Sequence, residues 1–205
     1  MISSAIIEDI KSTRGSTSAL VAYYYFDFKD DSKRGVRGLL ASLLSQFLGD
    51  DPRCWNILDE LYSACGSGSE QPSDSDLTKC LKRILEFRGQ VPHFIIMDAL
   101  DECSSTTGTP SARQKVLDFV KDFVGSSHSN LCMCIASRPE QDIQAVLIPL
   151  TSEIHRVALH EELGQKEDIS RYIHSFVHKD QEMQKWTDND KALVINTLSE
   201  RAHGM

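Results

Sequence analysis

Apolar residues recur along this chain with two different periods, and the alternation between the periods sets out its architecture. Ala5, Ile6 and Ile10 stand at helical spacing and predict a helix over Ile2–Ser12. Leu20–Phe28 is an aromatic and β-branched run that predicts a strand, ending in a turn at Asp27, Lys29 and Asp30. The strongest helical stripe follows over Gly35–Leu48, with Val36, Leu39, Leu40, Leu43, Leu44 and Phe47 repeating at three and four residues. Pro52 opens a second helix to Tyr62, with Trp55, Leu58 and Leu61 as its expected buried face. Gly66–Asp76 is a polar, breaker-rich loop. Leu77, Cys80, Leu81, Ile84 and Leu85 form the inward face of the next helix, with Ser73 or Asp74 as its cap and Gly89 and Pro92 ending it.

Phe94-Ile95-Ile96-Met97 is then a continuous apolar run, the pattern of a strand buried on both faces of a parallel sheet. A flexible loop over Ser104–Ser111 precedes a helix marked by Val116, Phe119, Val120 and Phe123. Leu131–Ala136 predicts another buried strand, and Pro139 begins a short helix to Leu147. Ile154, Val157 and Leu159 predict a last strand over Glu153–His160. Ile169, Tyr172, Ile173 and Phe176 mark a helix, and Thr187–Asp190 resembles a capping box opening a final helix through Leu198, closed by Gly204. Strand and helix alternate throughout, which implies helices on both sides of a mostly parallel sheet.

The chemistry concentrates at one strand end. Asp98, Asp101 and Glu102 follow the Phe94–Met97 run at once, so the strand delivers carboxylates to the rim where open α/β sheets place their ligands. A carboxylate at a strand tip suits magnesium, which takes one or two carboxylates and leaves its other positions to water and phosphate. A second acid a few residues on could orient or deprotonate an attacking water. The alternative is that the acids are the solvated start of a loop. Ser137-Arg138-Pro139 ends the Leu131–Ala136 strand, where Arg138 could stabilise phosphate charge or pair with Asp101 or Glu102 across the rim.

Composition narrows the classes. The 205 residues suffice for one domain with a core, or one domain and part of another, and 40% hydrophobic with 25% charged content is ordinary for a globular protein. A net charge of −8 argues against a broad nucleic-acid footprint. No apolar run reaches the roughly 20 residues of a membrane span, and Glu8 and Asp9 come too early for a secretory signal. The six cysteines form no CxxC pair and read as reduced thiols of a cytoplasmic protein. His174 and His178 stand four apart without a third ligand in view, which favours an exposed pair over a metal site.

The run Asp98-Ala99-Leu100-Asp101-Glu102 after four hydrophobics resembles the Walker B segment of NACHT-type P-loop NTPases, the signalling ATPases of innate-immunity (NLR-like) and fungal heterokaryon-incompatibility proteins. Tyr23–Phe28, Arg37–Leu44 and Ile135–Pro139 are likewise similar to fungal NACHT proteins often described as carrying a nephrocystin 3-like N-terminal domain. The resemblance implies a three-layer P-loop NTPase-like sandwich over residues 1–162 and the start of a helical domain over residues 163–205. It implies ATP or GTP with Mg2+ as cofactors. Asp98 would hold the metal through water, Asp101 and Glu102 would position or activate the hydrolytic water, and Ser137 and Arg138 would sense the γ-phosphate. The sequence contains no GxxxxGK[ST] loop, which in this family would lie immediately before Met1. The strand leading into that loop, which in the family lies between the Ser137-Arg138 strand and the last one, is then missing too. A sheet with that gap exposes backbone edges and leaves the last strand less securely placed than the other three, and it makes the isolated domain marginal.

Two readings follow. The chain is a fragment of a nucleotide-operated switch, not competent for hydrolysis alone, whose partners are other domains of its parent protein or further copies of itself. Alternatively it is a non-catalytic interaction module or a truncated gene product. A metal-dependent hydrolase using the same carboxylates would need more strand-tip acids, and only Asp27 offers itself.

Overall fold

A computed structural model of the chain describes residues 2–13, 19–50, 54–87, 91–106, 108–126, 130–158 and 163–201. The elements in order are α1 (Ile2–Thr13), β1 (Leu20–Tyr25), α2 (Val36–Asp50), α3 (Trp55–Ala64), α4 (Asp74–Phe87), β2 (His93–Asp98), α5 (Ala112–Gly125), β3 (Leu131–Ile135), α6 (Gln141–Leu147), α7 (Leu163–Lys179) and α8 (Asp188–Arg201). They fall into two compact units, Met1–Leu150 and Thr151–Met205. Pro52, Gly89, His160 and Gly204, which the pattern assigned to element ends, lie outside the described residues.

The three strands pair as a parallel sheet in the order β1-β2-β3. Leu20 stands opposite His93 and Tyr25 opposite Asp98, while His93 stands opposite Leu131 and Met97 opposite Ile135. The expected pairing of these three strands is present, with β1 ending at Tyr25 rather than Phe28. Strand periodicity splits the sheet into two faces. Leu20, Ala22 and Tyr24 of β1, with Ile95 and Met97 of β2, turn to one face and enter a core with Leu39, Leu40, Leu43 and Phe47 of α2, Leu81 and Ile84 of α4, and Val116, Val120 and Phe123 of α5. Tyr23 and Tyr25 turn to the other face, where the Ser4 and Tyr25 hydroxyls are 3.4 Å apart and Lys11 of α1 lies over the Tyr23 ring at 5.6 Å. Helices therefore cover both faces, and the central strand β2 is the most buried of the three.

Local sequence accounts for the helix starts. At α4 the caps are reciprocal: Asp76 N donates to Ser73 Oγ (3.2 Å) and Ser73 N donates to Asp76 Oδ2 (3.2 Å), so Ser73 rather than Asp74 is the cap. At α8, Asp190 N donates to Thr187 Oγ1 (3.2 Å), as the capping-box pattern predicts. Ser111 caps α5 by accepting from Gln114 N (3.1 Å).

Three expectations are corrected. Trp55 is 55% exposed and Cys54 and Ile57 are buried instead, while Leu58 and Leu61 pack against the core as expected, so the buried face of α3 is shifted toward Ile57 at its start. Ala5 of α1 is exposed and Ser3 and Ile7 face inward instead. The strand predicted at Glu153–His160 is a single 3-10 turn over Glu153–His155, and none of residues 156–158 joins a ladder. Ile154 is 86% and Val157 70% exposed. Alternating apolar residues make a strand only where a neighbouring edge and a face are on offer. Among the described residues of its own unit, Thr151–Met205, no strand is present to offer such an edge.

Candidate functional site

The acidic run sits where β2 ends, at the C-terminal rim of the parallel sheet. β2 stops at Asp98 because Ala99 is left-handed (φ 56, ψ 44), which turns the chain into a short 3-10 helix over Leu100–Glu102. Asp98 Oδ1 accepts from Ala99 N at 2.9 Å, so the first carboxylate helps hold the reversal. Leu100 is buried and anchors the turn to the core.

The next two acids reach to the neighbouring strands. Asp101 Oδ1 accepts from Arg138 N (3.0 Å) and Ser137 Oγ (3.4 Å), and Arg138 Nε lies 3.5 Å from Asp101 Oδ2. Glu102 Oε2 accepts from Phe28 N (3.2 Å), beyond the end of β1. The acids thus tie the C-terminal ends of all three strands together. Of the two roles open to Arg138, the structure shows the pairing with Asp101; its side chain is 84% exposed, which makes that ion pair weak by itself. Asp27 is a turn residue, its Oδ1 accepting from Lys29 N at 2.8 Å.

Beneath the acids lies a residue that the pattern did not single out. Arg113, in the first turn of α5, is 6% exposed. It donates from Nε to the Cys103 carbonyl (3.0 Å), from one terminal nitrogen to the Asp101 carbonyl (2.6 Å), and from the other to both oxygens of Asp142 (3.1 and 3.2 Å). The guanidinium fork fixes the acidic turn to α6. The only sequence signal was its place: a cation in the first turn of a helix opposes the macrodipole, so some other partner must hold it. Cys103 adds another tie, its buried thiol donating to the Arg34 carbonyl at 2.7 Å.

Burial pushes the Cys103 thiol up from an ordinary 9.0 to about 11 and the Tyr24 hydroxyl from 10.0 to about 12. The raised values mean that the native state favours the neutral forms. Their contribution is complete below pH 9 and is lost as pH rises from 9 through 11 for the thiol, and from 10 through 12 for the phenol. The unfolding free energy from urea titrations is therefore expected to hold from pH 7 to 8.5 and to fall by about 2 kcal/mol between pH 9 and 11. Cys103→Ala should flatten that fall; an equally steep fall in the variant would remove the thiol as its cause. A second variant tests the turn. Ala99→Gly should raise stability by about 0.5 kcal/mol, because relief of a left-handed alanine slightly exceeds the added unfolded-chain entropy, and Ala99→Val should lower it.

As a magnesium site the rim fits one pattern only. Among the described residues no cluster of three His, Cys, Asp or Glu could cage an ion. Asp98 stands with one oxygen engaged by its own turn, which suits an ion held by a single carboxylate, water and phosphate. His174 and His178 lie exposed on α7, rings 4.8 Å apart. Among the described residues, no helix is long and apolar enough to cross a membrane.

Fold and rim together define an α/β protein with a small parallel sheet whose C-terminal edge is acidic. The model of the family described as nephrocystin 3, N-terminal matches residues 1–138, more than half of the chain, and the chain belongs to that family. The match covers β1, β2 and β3 and ends at Arg138, the residue that closes the rim. No curated protein and no solved structure matches the chain.

Proposed function

We propose that this chain carries the metal-side and γ-phosphate-side residues of a NACHT-type nucleotide switch, without the loop that cradles the phosphates. The observation that carries this reading is the convergence of Asp98, Asp101, Glu102 and Arg138 on one rim of a parallel sheet, the position at which open α/β folds hold ligands. Asp98 would hold a water-coordinated magnesium. Asp101 anchors Arg138 and Ser137 at the rim by accepting from the Arg138 backbone N–H and the Ser137 hydroxyl, and the exposed Arg138 guanidinium would face a terminal phosphate. Glu102 engages Phe28 through Oε2, which leaves Oε1 to orient a water. Residues 1–162 form the nucleotide-binding part and residues 163–205 the start of a helical domain. Loss of the γ-phosphate would change how such parts are arranged in a complete cytoplasmic protein.

The sequence holds no GxxxxGK[ST], so no ATP or GTP turnover is expected from these 205 residues. Titration with a fluorescent ATP analogue tests the reading. Binding should require magnesium and disappear in Asp98→Ala, with hydrolysis at the level of buffer. Binding that survives in Asp98→Ala would sink it. No binding at all would favour the second reading, a non-catalytic interaction module, which the structural engagement of Asp101 and Glu102 supports.

A further inference from the structure

Asp101 is held from both of its ends. Its carboxylate Oδ1 accepts from Arg138 N (3.0 Å), and its carbonyl accepts from the buried Arg113 guanidinium (2.6 Å). Between those two contacts the chain closes a ring. The Arg138 carbonyl accepts from Glu140 N (2.9 Å), and the Glu140 carbonyl accepts from Gln144 N (2.9 Å) to begin α6. Asp142, in the first turn of α6, then takes the Arg113 fork on both of its oxygens. The ring encloses Ser137-Arg138-Pro139-Glu140, an exposed stretch that is neither helix nor strand. Leu100 N donates to the Ala136 carbonyl (3.2 Å), so the stretch starts from a fixed point. Its onward path depends on Asp101 and on where α6 begins, and Arg113 holds both.

A buried arginine–carboxylate pair is a poor source of stability, because desolvation offsets most of the attraction; its best-attested use is to single out one arrangement. Here the arrangement is that of the rim. Apart from Asp142, the Arg113 donors go to the Asp101 and Cys103 carbonyls, on either side of Glu102, and a planar fork fixes direction as well as distance. We propose that Arg113, acting through Asp142 and the Asp101 carbonyl, is the positioning residue of the phosphate-facing segment. It locks α6 to the acidic turn, so that Asp101 sets the Arg138 guanidinium toward a terminal phosphate, and the start of α6 tightens when that phosphate is bound. This inference rests on the nucleotide reading above. Every member of the ring lies between residues 101 and 144, within the unit Met1–Leu150.

Asp142→Asn is the informative variant. It keeps the size of the side chain and leaves Arg113 its two carbonyls, so circular dichroism should be unchanged. Fluorescent ATP and ADP analogues with the same fluorophore are titrated into the 205-residue chain with magnesium. The wild type should favour the triphosphate, and Asp142→Asn should cut that preference roughly tenfold, within the usual range of coupling between sites. The sign carries the test. Removing a negative charge by itself strengthens the binding of a polyanion, whereas a displaced Arg138 weakens it. Asp118→Asn, which takes a charge from α5 outside the ring, should leave the preference as it is. Hydrogen exchange reports on α6. In the wild type the Gln144 amide should exchange more slowly with the triphosphate than with the diphosphate, and in Asp142→Asn the two rates should converge. A wild type without the preference, a preference kept or raised in Asp142→Asn, or a Gln144 amide blind to the nucleotide overturns this inference, while magnesium-dependent binding keeps the nucleotide reading. An unfolded Asp142→Asn would make the pair a matter of stability alone and overturns it as well. A wild type that binds neither analogue overturns both.

Discussion

Replacing Arg113 with alanine is expected to destabilise the protein by about 3 kcal/mol, the largest effect predicted for any single residue of the rim. The residue is 6% exposed; its side chain donates to two backbone carbonyls and the Asp142 carboxylate, with Glu140 Oε2 3.9 Å away. Its removal leaves the Asp101 and Cys103 carbonyls without these donors and the Asp142 carboxylate without its fork. Lysine should restore little, because an ammonium cannot donate in three fixed directions at once. Pairing Arg113→Met with Asp142→Leu should recover little, because the half-exposed Asp142 carboxylate is solvated without its partner and the two carbonyls would still lack donors. Urea denaturation measures the change. Hydrogen exchange would show its location as faster exchange at Glu102 and Cys103, whose amides close the 3-10 turn onto Ala99 and Leu100. A change below about 1 kcal/mol, the range of an ordinary surface pair, would mean that the turn is held by Leu100 and the Cys103 thiol alone.

The second large effect is expected at Gly38, inside the best helix of the chain. A Cβ there would overlap the Ser32 carbonyl and the Tyr24 hydroxyl, which themselves hydrogen-bond at 3.3 Å. The backbone oxygen cannot rotate away, so Gly38→Ala must push α2 off β1 or distort the turn over Asp31–Lys33. About 3 kcal/mol of destabilisation is expected, against the usual gain of up to about 1 kcal/mol for alanine over glycine within a helix. Thermal melting should show a fall of several degrees. Gly49→Ala is the control: a Cβ there meets nothing within 4 Å, and its midpoint should stay level or rise. Equal behaviour of the two variants would show that the packing of α2 against Tyr24 and Ser32 is looser than these contacts require.

Much of the fold was legible from spacing alone. The α2 stripe of Leu39, Leu40, Leu43 and Phe47 is fully buried, because a helix that repeats apolar residues at three and four has only one way to hide them. The continuous run Phe94–Met97 is the central strand for a similar reason: it has no polar face to leave in water. At the edges of a stripe, as at Trp55 and Ala5, sequence chose the wrong residue, although Leu58 and Leu61 of the same α3 face pack on the core. Two adjacent apolar faces about 100° apart look alike until a neighbour selects one. The Glu153–His160 segment failed differently: its alternation was real, but among the described residues of its own unit no strand was there to pair with it.

The rim divides along the same line. Sequence by itself determined that Asp98, Asp101 and Glu102 would stand at a strand tip, since a buried run must end where charges begin. It also determined the cap at Thr187, whose partner is three residues away, and narrowed the cap of α4 to Ser73 or Asp74. Only the tertiary structure decided what the acids touch. Glu102 finds Phe28 from 74 residues away, Asp101 finds Arg138 from 37, and Arg113 finds Asp142 from 29. Those partners depend on which strands lie side by side and on how Ala99 turns, and no local period encodes either. Hydrophobic spacing is a property of neighbours along the chain, whereas a hydrogen bond across strand ends is a property of the packed sheet.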